Sequence, residues 1–205
     1  MNASSPRPYH HGDLRAALLG EAETILERDG IQALTLRAAA RAAGVSHAAP
    51  TNHFGDLTGL LSELAAGGYR RFAQTLSSAM DATGDDPRGR LQAMGRAYVA
   101  FARAHPGLFM LMFRSERLDM ERPALREAIA TARQALRDGI AETIGGAPRS
   151  PLHSAATATA LWSLVHGFAV LLIDGRLRTI IDRLPDQASA DTLLEAVLDV
   201  TKVDA

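Results

Sequence analysis

Apolar residues recur along this chain every three or four positions, the spacing of one face of a helix. Leu14, Leu18, Ala22, Ile25 and Leu26 form a first stripe, with Arg15, Glu21, Glu27 and Arg28 on the wet side. They predict a helix over residues 13–29, ended by Gly30, with Ile31 and Leu34 packing beneath the next two helices. Leu36, Ala39, Ala40 and Ala43 repeat the pattern behind Thr35, which is placed to cap that helix. Gly44 then falls where a helix end needs a left-handed residue, and Val45 is the apolar plug of the turn. Ser46 is positioned to cap a third short helix over residues 47–53, with Pro50 in its first turn or so, where a missing N–H matters least.

From about Asp56 a long helix carries Leu57, Leu60, Leu61, Leu64, Phe72, Leu76 and Met80 on one side. Gly67 and Gly68 interrupt it and predict a bend or a close crossing. A turn-rich loop over residues 83–90 makes a boundary, with Asp86 as cap and Pro87 as the first residue of the next helix. That helix carries Leu91, Met94, Tyr98, Phe101 and Ala102 and ends at His105. Pro106 opens a short apolar piece, GLFMLMF. Pro123 opens a helix through Leu125, Ile129, Ala132, Leu136 and Ile140 to Gly145 and Gly146. Ser150 and Pro151 start another, through Ala158, Leu161, Trp162, Val165, Ala169 and Leu172 to Gly175. Leu193, Leu194, Val197, Leu198 and Val200 mark a last one, so the pattern predicts an all-α chain.

Residues 160–173 are apolar nearly all round for 14 positions, broken by Ser163 and His166. A bilayer needs about 20 apolar residues, so this run by itself is too short to span one. A helix apolar on most sides needs more than one partner, which fits burial against its own subunit and a second one. The candidate dimer contacts are Leu161, Val165, Ala169 and Leu172, with Leu194, Val197 and Leu198 on the last helix. A central core helix within one subunit is the competing expectation.

Helix, glycine-bearing turn and capped helix over residues 35–54 is the pattern of a helix-turn-helix, whose second helix reads the major groove. A plain helical hairpin would carry the same periodicity. The stretch YHHGDLRAALLGEAETILERDGIQALTLRAAARAAGVSHAAPTNHF, residues 9–54, adds detail. It resembles the DNA-binding domain of the tetracycline-repressor (TetR) family of bacterial regulators. The matching features are the Asp29-Gly30 end of the first helix, the Thr-Leu-Arg opening of the second, the Ala-Gly-Val-Ser turn and the closing His-Phe. The resemblance implies a flexible arm over residues 1–11, a DNA-binding head over 12–72 and a ligand-binding, dimerising body over 73–205. It also implies a homodimer on a palindromic operator of double-stranded DNA, with half-sites about one helical turn apart or a multiple of it. A small-molecule effector would favour a dimer geometry in which that spacing is wrong.

The resemblance suggests a backbone-phosphate role for Arg37, a solvated surface arginine being the plainer reading. His47, Ala48, Ala49, Thr51 and Asn52, flanked by Ser46 and His53, are the candidates to face bases or phosphates. Three positions depart from the family: Thr51 stands where tyrosine is usual, Asn52 where arginine is frequent, and Leu57 where lysine is common. They point to a weaker phosphate grip or an unusual operator. Arg7, His10 and His11 in the arm could reach a phosphate or a minor groove, or belong to a plain disordered leader.

Composition sharpens this picture by exclusion. The apolar fraction is 47% but aromatics are only 5%, so alanine and leucine carry the core, as helices prefer. With no cysteine there are no disulfides, zinc–thiolate sites or thiol nucleophiles. The formal net charge of −1 gives no overall basic footprint, so DNA affinity must come from locally placed groups. The apolar run after Leu14 is broken by Glu21, Glu23 and Glu27, so no signal peptide is expected and a cytoplasmic protein without a membrane partner is. No phosphate loop, nucleophile elbow or His-Glu-x-x-His motif appears, the seven histidines lack ligand spacing, and no cofactor or metal is expected. Glu63, Glu116, Glu121 and Glu142 fall on polar faces, where solvated charge is the expected role.

Trp162-x-x-x-His166-Gly167 resembles the signature of a TetR C-terminal domain type named for its Trp, His and Gly. Trp162 and His166 share a helical face. With Met94, Tyr98, Phe101, Phe109, Met110 and Phe113 they could line a mostly apolar pocket containing one titratable group. The plainer reading is that these side chains are core. One functional alternative stays open: a helical ligand-binding or enzymatic module whose helix-turn-helix is vestigial.

Overall fold

A computed structural model describes residues 11–144, 150–185 and 188–200, all helix and connecting turn. The arm with Arg7 and His10, and the Gly145-Gly146 stop, lie outside the described residues. The helices are α1 (His11–Asp29), α2 (Leu36–Ala42), α3 (Ala49–Phe54), α4 (Leu57–Asp81), α5 (Pro87–Ala104) and α6 (Pro106–Met112). A 3₁₀ turn at Ser115–Arg117 precedes α7 (Pro123–Ile144), α8 (Pro151–Ile173), α9 (Arg178–Ile181) and α10 (Ala190–Val200).

Four helix starts follow local side-chain chemistry. Thr35 accepts from the Ala38 N–H at 3.0 Å, Asp56 from Gly59 at 2.8 Å, Asp86 from Gly89 at 3.0 Å and Ser150 from His153 at 3.2 Å. At the end of α2, Gly44 sits at φ +66°. The Gly44 N–H donates to the Arg41 carbonyl and the Val45 N–H to the Ala40 carbonyl, the paired bonds of a Schellman end.

The third helix departs from expectation. It begins at Ala49 rather than His47, and its N-cap is Ala48, which offers no side-chain bond. Proline explains the shift. Had Ser46 been the cap, Pro50 would stand where an N–H must donate to the Ser46 carbonyl, and its ring would crowd that oxygen. Starting at Ala49 places Pro50 in the first turn, where no intrahelical donor is needed. The Ser46 carbonyl instead closes a turn with the Ala49 N–H at 3.1 Å.

Packing centres on α4. Its Phe72 ring lies 4.9 Å from Tyr98 and 5.2 Å from Phe101 of α5, and Tyr98 lies 5.8 Å from Phe109 of α6, all edge-on. Gly68 is the close crossing the sequence predicts: a Cβ there would stand 2.8 Å from Met112 Sδ and 3.0 Å from Leu108 Cγ of α6. The helix runs through that point without a break. Helix α10 lies antiparallel to α5, tied by Arg96–Glu195 at 3.1 Å, Arg103–Asp191 at 2.9 Å and Gln92–Asp199 at 3.2 Å.

Polar contacts join the head, α1–α3, to the body. Glu63 is not a solvated surface charge. It is 8% exposed, and its carboxylate accepts from Arg15 of α1 and from Arg122, just before α7, at 2.9 Å. Burial alone would raise its pKa, but the guanidinium groups of Arg122 and Arg15 outweigh that and hold it below the usual carboxylate range. Next to it, Ser62 Oγ accepts from the Asp119 N–H at 2.8 Å. Glu27 of α1 accepts from the first two free N–H groups of α6, Gly107 at 2.8 Å and Leu108 at 2.9 Å.

A carboxylate whose folded pKa is lowered stabilises the fold fully above its unfolded value, about 4.3, and loses that contribution as pH falls through the folded one. Glu63→Gln is therefore expected to cost about 2 kcal/mol at neutral pH, between the exposed and fully buried cases. The deficit should shrink as pH drops below about 5. Urea unfolding of both proteins at pH 7 and pH 3.5 checks this; a deficit unchanged between those pH values contradicts the assignment.

Candidate nucleic-acid interface and ligand cavity

The helix-turn-helix divides its expected contact residues in two. Thr51 and Asn52 on α3 are exposed, as are Ser46, His47 and Ala48 in the turn before it and Arg37 on α2. His53 is half-buried beside the Phe54 ring. Ala49 is 8% exposed, so its side chain belongs to the core of the head and not to a DNA-facing surface. The later helix start is the cause, because Ala49, Pro50 and Phe54 turn inward together and leave positions 51 and 52 outward. Phe54 in turn lies under the Arg15 guanidinium, 5.6 Å from the ring centre, which seats α3 on the residue that also holds Glu63. Leu57 is half-buried against the core at the first turn of α4.

A cavity of about 500 Å³ opens in the body, within the usual range for small-molecule sites. Tyr69 and Phe72 of α4 line it with Met112 of α6, Phe113 and Met120. Ile129, Ala132, Arg133, Leu136, Arg137 and Ile140 of α7 make one wall, and Ala158, Thr159 and Trp162 of α8 the other. Of the pocket residues expected from the sequence, Phe113 and Trp162 stand in this lining. Met94, Phe101 and Phe109 do not; at 5%, 4% and 0% exposure they are core, and Met110 packs against that core. The α7 wall was missed because its residues read as an ordinary apolar stripe.

Tyr98 and His166 stand beside Trp162 and outside the lining. The Trp162 indole N–H donates to the Tyr98 oxygen at 3.2 Å, and that phenol lies 3.0 Å from His166 Nδ1. An arrangement in which Tyr98 donates its own proton to Nδ1, leaving the imidazole proton on Nε2, lets the phenol accept from Trp162 and donate to His166 at once. Burial lowers the His166 pKa and raises that of Tyr98, so both are neutral near pH 7. His166 is also enclosed by rings, with Phe113 at 4.6 Å and Phe109 at 5.5 Å. Its Nδ1 thus faces a core phenol, and it holds Tyr98 and Trp162 in place. Tyr69 donates to the Met112 carbonyl at 2.6 Å, its pKa pushed up to about 12 by burial.

The residues expected at a dimer contact also divide. Ala169, Leu194 and Leu198 are buried within the subunit, at 0%, 4% and 8% exposure, because α10 and the end of α8 pack on α5. They cannot carry an interface. Leu161, Val165, Leu172 and Val197 are half-buried. The free stripe of α8 is instead Leu152, Ala156, Ala160, Ser163 and Leu171, spaced at helical intervals. At 23 residues α8 is long and apolar enough, by length and composition alone, to cross a membrane, so the short apolar run does not settle that question. Its Phe168 and Ala169 are buried in the body, and Trp162 is bonded to α5. Among the described residues no group of three His, Asp or Glu could hold a metal ion.

Residues 91–199 match the family described as tetracyclin repressor-like, C-terminal domain, a stretch that contains Trp162, His166 and Gly167. Among solved structures the chain is similar to a protein of unknown function from Rhodococcus sp. RHA1, at 34% identity, 95% of this chain, 96% of that one and TM-score 0.78. It shares its fold with the TetR family transcriptional regulator PfmR from Thermus thermophilus, at 19% identity, 89% and 95% coverage and TM-score 0.62. The same holds for the multidrug binding protein EbrR, solved with imidazole, at 20% identity, 95% and 97% coverage and TM-score 0.57. No curated protein sequence matches the chain. A helix-turn-helix head on a body of this matched type places the chain in the TetR family of DNA-binding transcription regulators.

Proposed function

We propose that this regulator is a cytoplasmic, homodimeric repressor, released from a palindromic operator when a small apolar or amphipathic effector enters the cavity among α4, α6, α7 and α8. The observation that carries this reading is the position of α6. This helix is seven residues long, about 10 Å. Met112 at one end lines the cavity, while the N–H groups at the other are held by Glu27 of the head. A ligand that displaces Met112 therefore pulls on α1 through two charge-assisted bonds. Couplings of about 1–3 kcal/mol are ordinary, so a 5–150-fold loss of operator affinity is the scale expected. The apolar stripe of α8, built largely of small residues, suits close approach of the same helix from a second subunit.

Asn52 and Arg37 separate base reading from phosphate binding. Asn52→Ala should relax preference at one base pair of each half-site, by roughly 1–3 kcal/mol if the contact is bidentate. Arg37→Ala should weaken binding to all sequences alike and flatten its salt dependence. Titrations of operator variants at several salt concentrations distinguish the two; identical behaviour of both mutants overturns the assignment. Absence of any salt-dependent binding to duplex DNA by the unmutated protein would instead favour a vestigial head.

For assembly, Leu171 is the informative position, being 41% exposed on the free stripe of α8. Leu171→Glu should give monomers by sedimentation with an unchanged helical spectrum. Operator affinity should fall roughly a hundredfold as the two heads lose their linkage. An intact dimer would move the interface to another surface.

A further inference from the structure

The cavity is not uniformly apolar, and its polar part has one sign. Among the described residues, Arg133 and Arg137 are the only charged ones in its lining, and no aspartate or glutamate joins them. They lie four residues apart on α7, so both guanidinium groups leave the helix on one face. Among the described residues neither is paired with a carboxylate: Arg137 donates to the Gln134 amide oxygen at 2.6 Å, and the acceptor Asp138 is taken up by the Gln134 amide at 2.5 Å. The Arg133 charge also acts on the Tyr69 phenol of α4, opposing in small part the burial that raises its pKa. Beyond the two arginines the wall is mostly ring and aliphatic surface, from Phe72, Phe113 and Trp162 to Ile129 and Ile140, and the Tyr69 and Thr159 hydroxyls already donate to backbone carbonyls.

We propose that the effector is an organic carboxylate: an alkyl or aryl body in the cavity, its carboxylate between Arg133 and Arg137. This rests on the reading of the cavity as the effector site and names the class of ligand it takes. A planar carboxylate can accept paired N–H bonds from a guanidinium, which an alcohol cannot match. Beside an apolar wall those bonds are screened less than in open water. Both arginines are exposed, so the selectivity they give is moderate, and a neutral ligand of the same body still binds through the apolar wall. A cationic head group is repelled. The order expected is therefore carboxylate, then alcohol, then ammonium.

Trp162 lines the cavity and is the only tryptophan in the chain, so its fluorescence reports occupancy directly. The full chain is titrated with decanoate, decanol and decyltrimethylammonium, with the hexyl and hexadecyl members of each series bracketing the chain length. At low salt the carboxylate should bind about five- to tenfold more tightly than the alcohol of equal length, and added salt should narrow that gap. The double substitution Arg133→Gln, Arg137→Gln should abolish the gap while alcohol binding persists, which also shows that the variant is folded. The double substitution Arg133→Glu, Arg137→Glu should reverse the order in favour of the ammonium series. An alcohol that binds as well as the carboxylate in the unmutated protein, or a gap that survives the double substitution, overturns the carboxylate assignment and leaves the cavity standing. Failure of every head group at every chain length overturns the effector cavity itself, and the proposal with it.

Discussion

A carboxylate buried between two guanidinium groups organises the junction of head and body. Glu63 belongs to α4, which is common to both halves, and it holds Arg15 from α1 and Arg122 from the turn before α7. Removing Glu63 would take one partner from both arginines, and removing either arginine would leave the buried carboxylate on a single guanidinium. Arg15 has a second task, lying over the Phe54 ring and so fixing the end of α3. The geometry of the DNA-facing helix is therefore set in part by a charge that sits outside the head's own apolar core. Glu27 acts in parallel on α6. Two acidic side chains thus make these polar contacts between the head and the body.

Much of the chain was legible because its signals are short-ranged. Thr35, Asp56, Asp86 and Ser150 each cap a helix by accepting from an N–H two or three residues on, and such a bond needs nothing from the rest of the fold. The Gly44 turn is of the same kind. Ser46 failed although it has the same chemistry, since Pro50, four residues ahead, vetoes the helix it would have capped. That veto moved the start of α3 to Ala49 and put Ala49 into the core. The miss was readable in principle, from the spacing of serine and proline.

What could not be read was which apolar residue faces which neighbour. Met94, Phe101 and Phe109 share periodicity and composition with Met112, Phe113 and Trp162, yet the first three are core and the last three line a cavity. The distinction depends on where α7 and α8 come to stand against α4 and α6, a tertiary fact with no local signature. Glu63 shows the same limit in polar form. It occupies a helix face that reads as solvated, and only the arrival of arginines from 48 residues upstream and 59 downstream makes it a buried ion pair. Leu194 and Leu198 likewise looked free until α10 was found packed on α5, with charged pairs on its flank.

The Trp-x-x-x-His-Gly signature joins these themes, since its parts divide between cavity and core. Trp162 presents one face to the cavity and its N–H to Tyr98. Tyr98 packs edge-on against Phe72 and Phe109, residues of the helices that meet the head. His166 is half-buried and faces Tyr98 through Nδ1, and that burial lowers its pKa and favours the neutral imidazole, which orients the phenol without adding a charge. The spacing of four is what lets an indole and an imidazole on one helix reach the same oxygen. A core histidine is thus compatible with a functional signature. Its bond to Tyr98, which in turn accepts from Trp162, ties α8 to α5 along the inner wall of the cavity.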